Sequence, residues 1–222
     1  YVTPVEERFT AQAYITTDTD DNQITAFHPG AMDDSHRNRI ADASGISIGI
    51  ISPDGRQGLI DHASQFVDAG IPFIFDPGQG LPMFDRDDLH TFIEQASWVT
   101  VNDYELQLMQ ERTGMSPHEI AERVQALIVT LGGEGSHIYT DKQRIDIPVA
   151  PVSRLNDPTG CGDAYRGGLL FGLINGLDWE TTGRIATLMG AIKIEQHGTQ
   201  NHSFTPEEFR DRYEASFGTA LE

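Results

Sequence analysis

The string Asn156-Asp157-Pro158-Thr159-Gly160-Cys161-Gly162-Asp163-Ala164-Tyr165-Arg166-Gly167-Gly168 combines a glycine turn, the start of an apolar helix and a carboxylate. Small residues at 160 to 162 let backbone N–H groups converge at the first turn of the helix that follows, where the helix dipole favours negative charge. Asp163 falls inside that turn. A carboxylate beside a bound anion is suited to taking a proton from an attacking hydroxyl. The same residues also make an ordinary helix start, because aspartate in a first turn complements the dipole without any chemistry. Spacing alone leaves both readings open.

Taken whole, the string resembles the C-terminal signature of the ribokinase-like (PfkB) family of sugar and nucleoside kinases. The resemblance implies Asp163 as catalytic base and Gly160, Cys161 and Gly162 as the anion hole for a transferred phosphoryl group, with Thr159 on the nucleotide side. Pro158 stands where the family usually has threonine, and Cys161 where it has alanine. ATP and Mg²⁺ are implied as donor and metal, and a monovalent cation is left open.

Further polar residues follow the apolar runs. Asp76-Pro77-Gly78-Gln79 comes after Phe75, Asn102 and Glu105 after Val101, and Thr130-Leu131-Gly132-Gly133-Glu134-Gly135 closes the next run. Asn at a helix N-cap with Glu three residues on is a variant capping box, which helix initiation explains by itself. The element is also similar to the family's N-x-x-E motif, which implies that Asn102 and Glu105 organise Mg²⁺ and phosphate, with Glu105 acting through metal-bound water. The glycines at 132, 133 and 135 superficially suggest a dinucleotide loop, but that fingerprint must open a helix and here a strand follows. In the resemblance the turn lies along the nucleotide's phosphates and ribose, so Thr130, Gly132 and Gly135 are expected to touch it. No Walker A string, G-x-x-x-x-G-K-[ST], occurs.

The elements that would position these residues alternate. Apolar strands are predicted at 46–51, 71–75, 98–101 and 126–131, with helices at 57–69, 87–96 and 103–111 and a short one opened by the capping box of Ser116 and Glu119. Further strands are predicted at 136–139 and 144–149, then helices from the signature to about 175, at 179–196 and at 206–217, the last packing on the sheet. Repeated βα units with buried strands predict an α/β, doubly wound, mainly parallel sheet with chemistry gathered at the carboxyl ends of the strands. The resemblance makes that sheet ribokinase-like. A hairpin precedes it, with strands at 11–17 and 23–28 around the polar turn 18–22. Asp18, Asp20 and Asn22 suggest a calcium loop, but Gln23 and Pro29 stand where glycine and glutamate are required. In the family such a hairpin followed by Pro29-Gly30-Ala31 is the lid over the substrate. The expected division is a lid segment, 1–32, and a nucleotide-binding and catalytic core, 33–222.

Composition narrows the partners. A formal charge of −19, with Lys142 and Lys193 as the only lysines, argues against nucleic acid and anionic membranes. A polyphosphate ligand would have to be met locally, by backbone amides, Mg²⁺ and a few arginines. No window has the length and apolarity of a membrane span, and the single cysteine, Cys161, excludes an intrachain disulfide, which suits a cytoplasmic protein. Its place at a helix start can lower its pKa, although a small residue filling an alanine-sized space is the simpler account. His197 and His202 lack a convincing third metal ligand nearby.

In the resemblance the loop after the 179–196 helix, with His197 and Gln200, borders the adenine pocket. The segments 20–32, 162–166 and 197–201 look most like the adenosine-kinase-type branch, so adenosine is favoured as substrate, with ribose or another sugar as the alternative. The first residue is not Met, and the aspartate and double-glycine segment that grip the sugar hydroxyls in the family do not precede the lid, so an N-terminal portion is expected to be missing. The expected activity is ATP-dependent phosphoryl transfer to a nucleoside or sugar hydroxyl, and the alternative is a chain that, without that portion, binds nucleotide without turnover. The lid ribbon is also the expected surface for a homodimer.

Overall fold

The computed structural model describes residues 1–17 and 23–221; the polar turn expected at 18–22 lies outside them. The chain divides into two compact units, Tyr1–Val99 with Leu108–Met115, and Thr100–Gln107 with Ser116–Glu222.

In the first unit β1 (Gln12–Thr17) and β2 (Gln23–His28) form the expected antiparallel ribbon, with Gln12 opposite His28 and Thr16 opposite Ile24. Two 3₁₀ segments follow, Gly30–Arg37 and Ile40–Asp42. Periodicity did not predict them, because short i→i+3 turns carry no 3.6-residue pattern. The buried Asp34 pairs with Arg8 at 2.7 Å and with Arg37 at 2.9 Å, which ties the opening residues to this segment.

The alternating part begins with β3 (Gly49–Ile51), α1 (Arg56–Ala69), β4 (Phe73–Phe75), α2 (Arg86–Gln95) and β5 (Trp98–Asn102). β3 pairs parallel with β4, and β4 with β5. The strands are shorter than the apolar runs 46–51 and 71–75 suggested, because pairing ends a strand and hydrophobicity does not. Phe73, Ile74 and Phe75 are all buried, as in a strand covered on both faces. Phe75 stacks on Phe92 of α2 at 4.4 Å between ring centroids, and Phe84 meets Phe92 edge-on at 4.9 Å. α3 (Asp103–Thr113) and α4 (Pro117–Ala121) follow, the latter opened by the Ser116–Glu119 capping box.

In the second unit β6 (Ala126–Thr130) leads to β7 (Ser136–Tyr139) and β8 (Arg144–Ile147), which run antiparallel to their neighbours. The reversal follows from the link Leu131 to Gly135, since a parallel return needs a crossover of roughly a dozen residues or more. The six core strands form one mixed sheet in the order β3-β4-β5-β6-β7-β8. The remaining helices are α5 (Cys161–Ile174), α6 (Trp179–Ile194) and α7 (Pro206–Phe217).

α5 and α6 approach closely because small residues face each other: a Cβ on Gly168 would lie 2.6 Å from the Ala186 Cα. α7 was expected on the sheet and packs on α6 instead. Its Phe209 and Tyr213 join Ile185, Leu188, Ala191 and Ile192 in one buried cluster. The amphipathic pattern of α7 fixed which face is covered, while the covering partner depends on layers that the pattern does not encode. Among the described residues no helix is long and apolar enough to cross a membrane.

Candidate active site

α5 is preceded by Gly160, whose φ of 85° lies in the left-handed region that a β-carbon makes costly. Thr199 stands against it, and a Cβ on Gly160 would come within 3.3 Å of the Thr199 Cβ. The Cys161 N–H donates to the Pro158 carbonyl at 3.1 Å and the Ala164 N–H to the Gly160 carbonyl at 3.0 Å. The Cys161 amide is therefore committed to the turn. The amides of Gly162 and Asp163 belong to the first helical turn, which lacks intrahelical acceptors. Gly162 and Asp163 are exposed and Cys161 is half-buried. Burial pushes the Cys161 thiol up, partly offset by the Lys193 ammonium, so the helix start does not activate it. Its Sγ lies 3.9 Å from the Asp157 carbonyl oxygen, in keeping with a packing residue.

Asp157 and Lys193, to which the motif reading gave no role, hold this turn. Asp157 accepts the Thr159 N–H on Oδ1 at 2.9 Å and the Gly198 N–H on Oδ2 at 2.8 Å, with His197 Nδ1 3.4 Å from Oδ2. The Thr159 amide first, then the Gly198 amide, hold its carboxyl well below the usual carboxylate range. Lys193 is fully buried, and its Nζ donates to the Asp157 carbonyl at 2.6 Å and to the Gln196 carbonyl at 3.4 Å.

Glu195, one residue past α6, accepts the Ser153 N–H at 2.6 Å and both guanidinium nitrogens of Arg212 at 2.7 and 2.8 Å. Burial opposes its ionisation, yet the bonds from Arg212 and Ser153 outweigh burial and keep its carboxyl below the ordinary value. The Asn156 and Asp157 amides both donate to the Ile194 carbonyl, at 3.0 and 3.1 Å, and Arg154 Nε donates to the Glu195 carbonyl at 2.9 Å. Residues 153–157 thus lie along the carbonyl end of α6 and use acceptors that a helix end leaves open. One signal for Lys193 was readable: a lysine inside the apolar run Ala191-Ile192-Lys193-Ile194 of a lysine-poor chain. No local signal marked its partners.

A second group sits at the strand ends. Asn102 closes β5, and its N–H and Nδ2 donate to Glu105 Oε2 and Oε1 at 2.8 and 3.0 Å, while the Glu105 N–H donates to Asn102 Oδ1 at 2.7 Å. The capping reading of this pair is what the geometry shows. Thr130 closes β6, its hydroxyl 3.5 Å from the Val101 carbonyl, so the ends of β5 and β6 lie side by side. Gly132 to Glu134 form a single 3₁₀ turn, and the Leu131 N–H reaches the Gly135 carbonyl at 2.8 Å. A strand follows, not a helix. At Gly135 a Cβ would collide with the Ile147 carbonyl, so this turn lies flat on the end of β8.

A buried hydrogen bond of 2.8 Å between the Ser136 and Tyr165 hydroxyls joins the strand-end group to α5. Burial raises the Tyr165 phenol to about 12. The expected residues thus fall into two neighbourhoods within the second unit. Gly160, Cys161, Gly162 and Asp163 share the helix start with Thr159 and the turn that carries His197 and Gln200. Asn102, Glu105, Thr130, Gly132 and Gly135 share the ends of β5 and β6.

Among the described residues no group of three or more His, Cys, Asp or Glu is placed to hold a metal. Mg²⁺ does not require such a group, because it commonly keeps several waters and takes one or two carboxylates plus substrate phosphates. Glu105, the carboxylate expected in that part, lies in the first turn of α3, three residues past Asn102 at the end of β5.

A family model described as pfkB family carbohydrate kinase matches residues 1–207. The chain is 32% identical over 209 residues to a nucleoside kinase of Methanocaldococcus jannaschii, covering 94% of this chain and 68% of that protein. Among solved structures it is similar to the nucleoside kinase of Burkholderia thailandensis in complex with inosine, 51% identical with a TM-score of 0.93, over 96% of this chain and 70% of that one. The same kinase in complex with ADP-inosine gives a TM-score of 0.92 at 51% identity, over 96% and 67% of the two chains. The fold is therefore ribokinase-like, and a match that runs through both units and the whole Asn156–Gly168 string makes this chain a member of the PfkB family of carbohydrate kinases.

Proposed function

We propose that this kinase transfers the γ-phosphoryl group of ATP to a hydroxyl of a nucleoside, with Asp163 as the general base. The observation that carries the reading is the helix start at α5: an exposed carboxylate one residue after a glycine turn that is fixed from behind by Asp157. Asp163 accepts the hydroxyl proton as the oxygen attacks phosphorus. The amides of Gly162 and Asp163, in a turn shaped by Gly160 and Cys161, stabilise charge on the moving group. Thr159, Thr130, Gly132, Gly135, His197 and Gln200 line the nucleotide side, and Glu105, held by Asn102, would help to hold Mg²⁺. When bound, Mg²⁺ neutralises phosphate charge.

Adenosine is the first acceptor to test. Inosine is the second, because the 51% identical kinase of B. thailandensis was solved with it. A homodimer through the ribbon fits the exposure of Tyr14, Ile15, Ile24 and Phe27 on β1 and β2. A cytoplasmic setting suits an ATP-dependent enzyme with one unpaired cysteine.

The test is ADP release with adenosine, inosine and ribose in parallel, together with Asp163→Asn. A nucleoside-dependent rate that falls about 10² to 10⁴-fold in the variant supports the assignment. Equal rates in the two proteins remove Asp163 as base, and ribose outpacing both nucleosides overturns the substrate class.

A further inference from the structure

Lys193 is one of two lysines in a chain of net charge −19, and it is buried completely. An ammonium in the interior is costly unless oxygen atoms replace its water. Here they come from both sides of the candidate site. The Asp157 carbonyl, at 2.6 Å, belongs to the segment that leads into the glycine turn, and the Gln196 carbonyl, at 3.4 Å, to the turn that carries His197 and Gly198. The Asp157 carboxylate oxygen Oδ1 stands 4.0 Å away, and the position lies at the carbonyl end of α6, where the helix dipole favours positive charge.

Two backbone carbonyls and a carboxylate around one buried cation make a set of hard oxygen ligands for a single positive charge. The set is filled by the chain's own side chain. An exchangeable monovalent cation, left open by the family resemblance, does not fit at this point, because the ammonium already occupies it.

We propose that Lys193 is a positioning residue whose ammonium acts as a tethered monovalent cation. It clamps Asp157 to the 196–198 turn, so that Thr159 and Gly160 present the helix start in one geometry. The enzyme therefore needs no added K⁺, Na⁺ or NH₄⁺. This rests on the reading of the Gly160–Gly162 turn as the phosphoryl site, and the clamp itself has a readout that does not depend on that reading.

The experiment compares wild type, Lys193→Ala and Lys193→Met in potassium, sodium, ammonium and choline chloride at equal ionic strength. Thermal unfolding and nucleoside-dependent ADP release are followed side by side. Wild type is expected to show the same Tm order as Lys193→Met across the salts, and a rate indifferent to the cation. Lys193→Ala leaves a hole lined by the two carbonyls. In choline chloride it is expected to lose at least about tenfold in kcat/KM, or about 1.4 kcal/mol.

Ammonium or potassium should restore both its rate and its Tm relative to choline. Lys193→Met fills the same volume without charge and should not respond, which separates a cation role from mere packing. A wild-type enzyme that needs K⁺ overturns the proposal without any variant. A Lys193→Ala protein whose Tm ignores the small cations overturns it as well. A cation-responsive Tm in that variant, with no phosphoryl transfer by wild type, keeps the clamp and rejects the kinase reading of the turn.

Discussion

Glu195 and Arg212 face each other as a bidentate pair, 2.7 and 2.8 Å between guanidinium and carboxylate, and the same carboxylate accepts the Ser153 amide at 2.6 Å. One ion pair thus joins α7, the end of α6 and the segment that runs into the glycine turn. Arg212→Ala leaves a largely buried carboxylate with Ser153 in place of its ion-pair partner. We expect a loss of about 1–3 kcal/mol, less than for a fully buried pair because Arg212 is partly exposed. Urea unfolding monitored by circular dichroism measures it, and an unchanged midpoint would show that the pair contributes nothing.

Asp157 makes the site sensitive to acid. Its folded-state pKa lies below the unfolded value, so its contribution is fully present above about pH 4, the ordinary aspartate range, and is lost as pH falls through the folded value. Asp157→Asn should remove that part of the acid dependence. It should also weaken the turn at neutral pH, because an amide nitrogen would then face either the Thr159 N–H or the Gly198 N–H, donor against donor. Tm against pH for the two proteins checks this. Parallel curves down to acid would assign the sensitivity to other carboxylates.

Tyr165 and Ser136 form a closed pair of buried hydroxyls. Tyr165→Phe strands the Ser136 hydroxyl and should cost about 1–2 kcal/mol, whereas Tyr165→Phe with Ser136→Ala removes both partners and should cost less than the single change. The phenol, raised to about 12 by burial, should stay neutral in a spectrophotometric titration through pH 10. A double variant less stable than the single one would refute the pairing argument.

The α5–α6 crossing predicts opposite outcomes for adjacent glycines. At Gly168 a Cβ would meet Ala186 backbone, so Gly168→Ala should destabilise by about 1–3 kcal/mol by forcing the helices apart. Gly167 has nothing within 4 Å of a Cβ, and Gly167→Ala should be neutral or stabilising by up to about 1 kcal/mol from helix propensity. Thermal unfolding of the two variants decides it. A loss at both positions would point to a backbone requirement unrelated to the crossing.

Much of this protein was legible in order along the chain. Strand–helix alternation, the Ser116–Glu119 cap, the helix Pro206–Phe217 and the motifs at 102–105, 130–135 and 156–168 were all written in local patterns. Each depends on contacts within a few residues, so sequence alone determines it. The support of the site is different in kind. Asp157 meets Lys193 36 positions away, Ser153 meets Glu195 across 42, and Ser136 meets Tyr165 across 29.

Partners at such distances are selected by the packing of α5, α6 and α7, which no local periodicity specifies. The same packing placed α7 on α6 instead of on the sheet, and it set an ammonium against the carbonyls of Asp157 and Gln196. Sequence determined which residues can do chemistry, and tertiary structure decided which buried charges hold them in place.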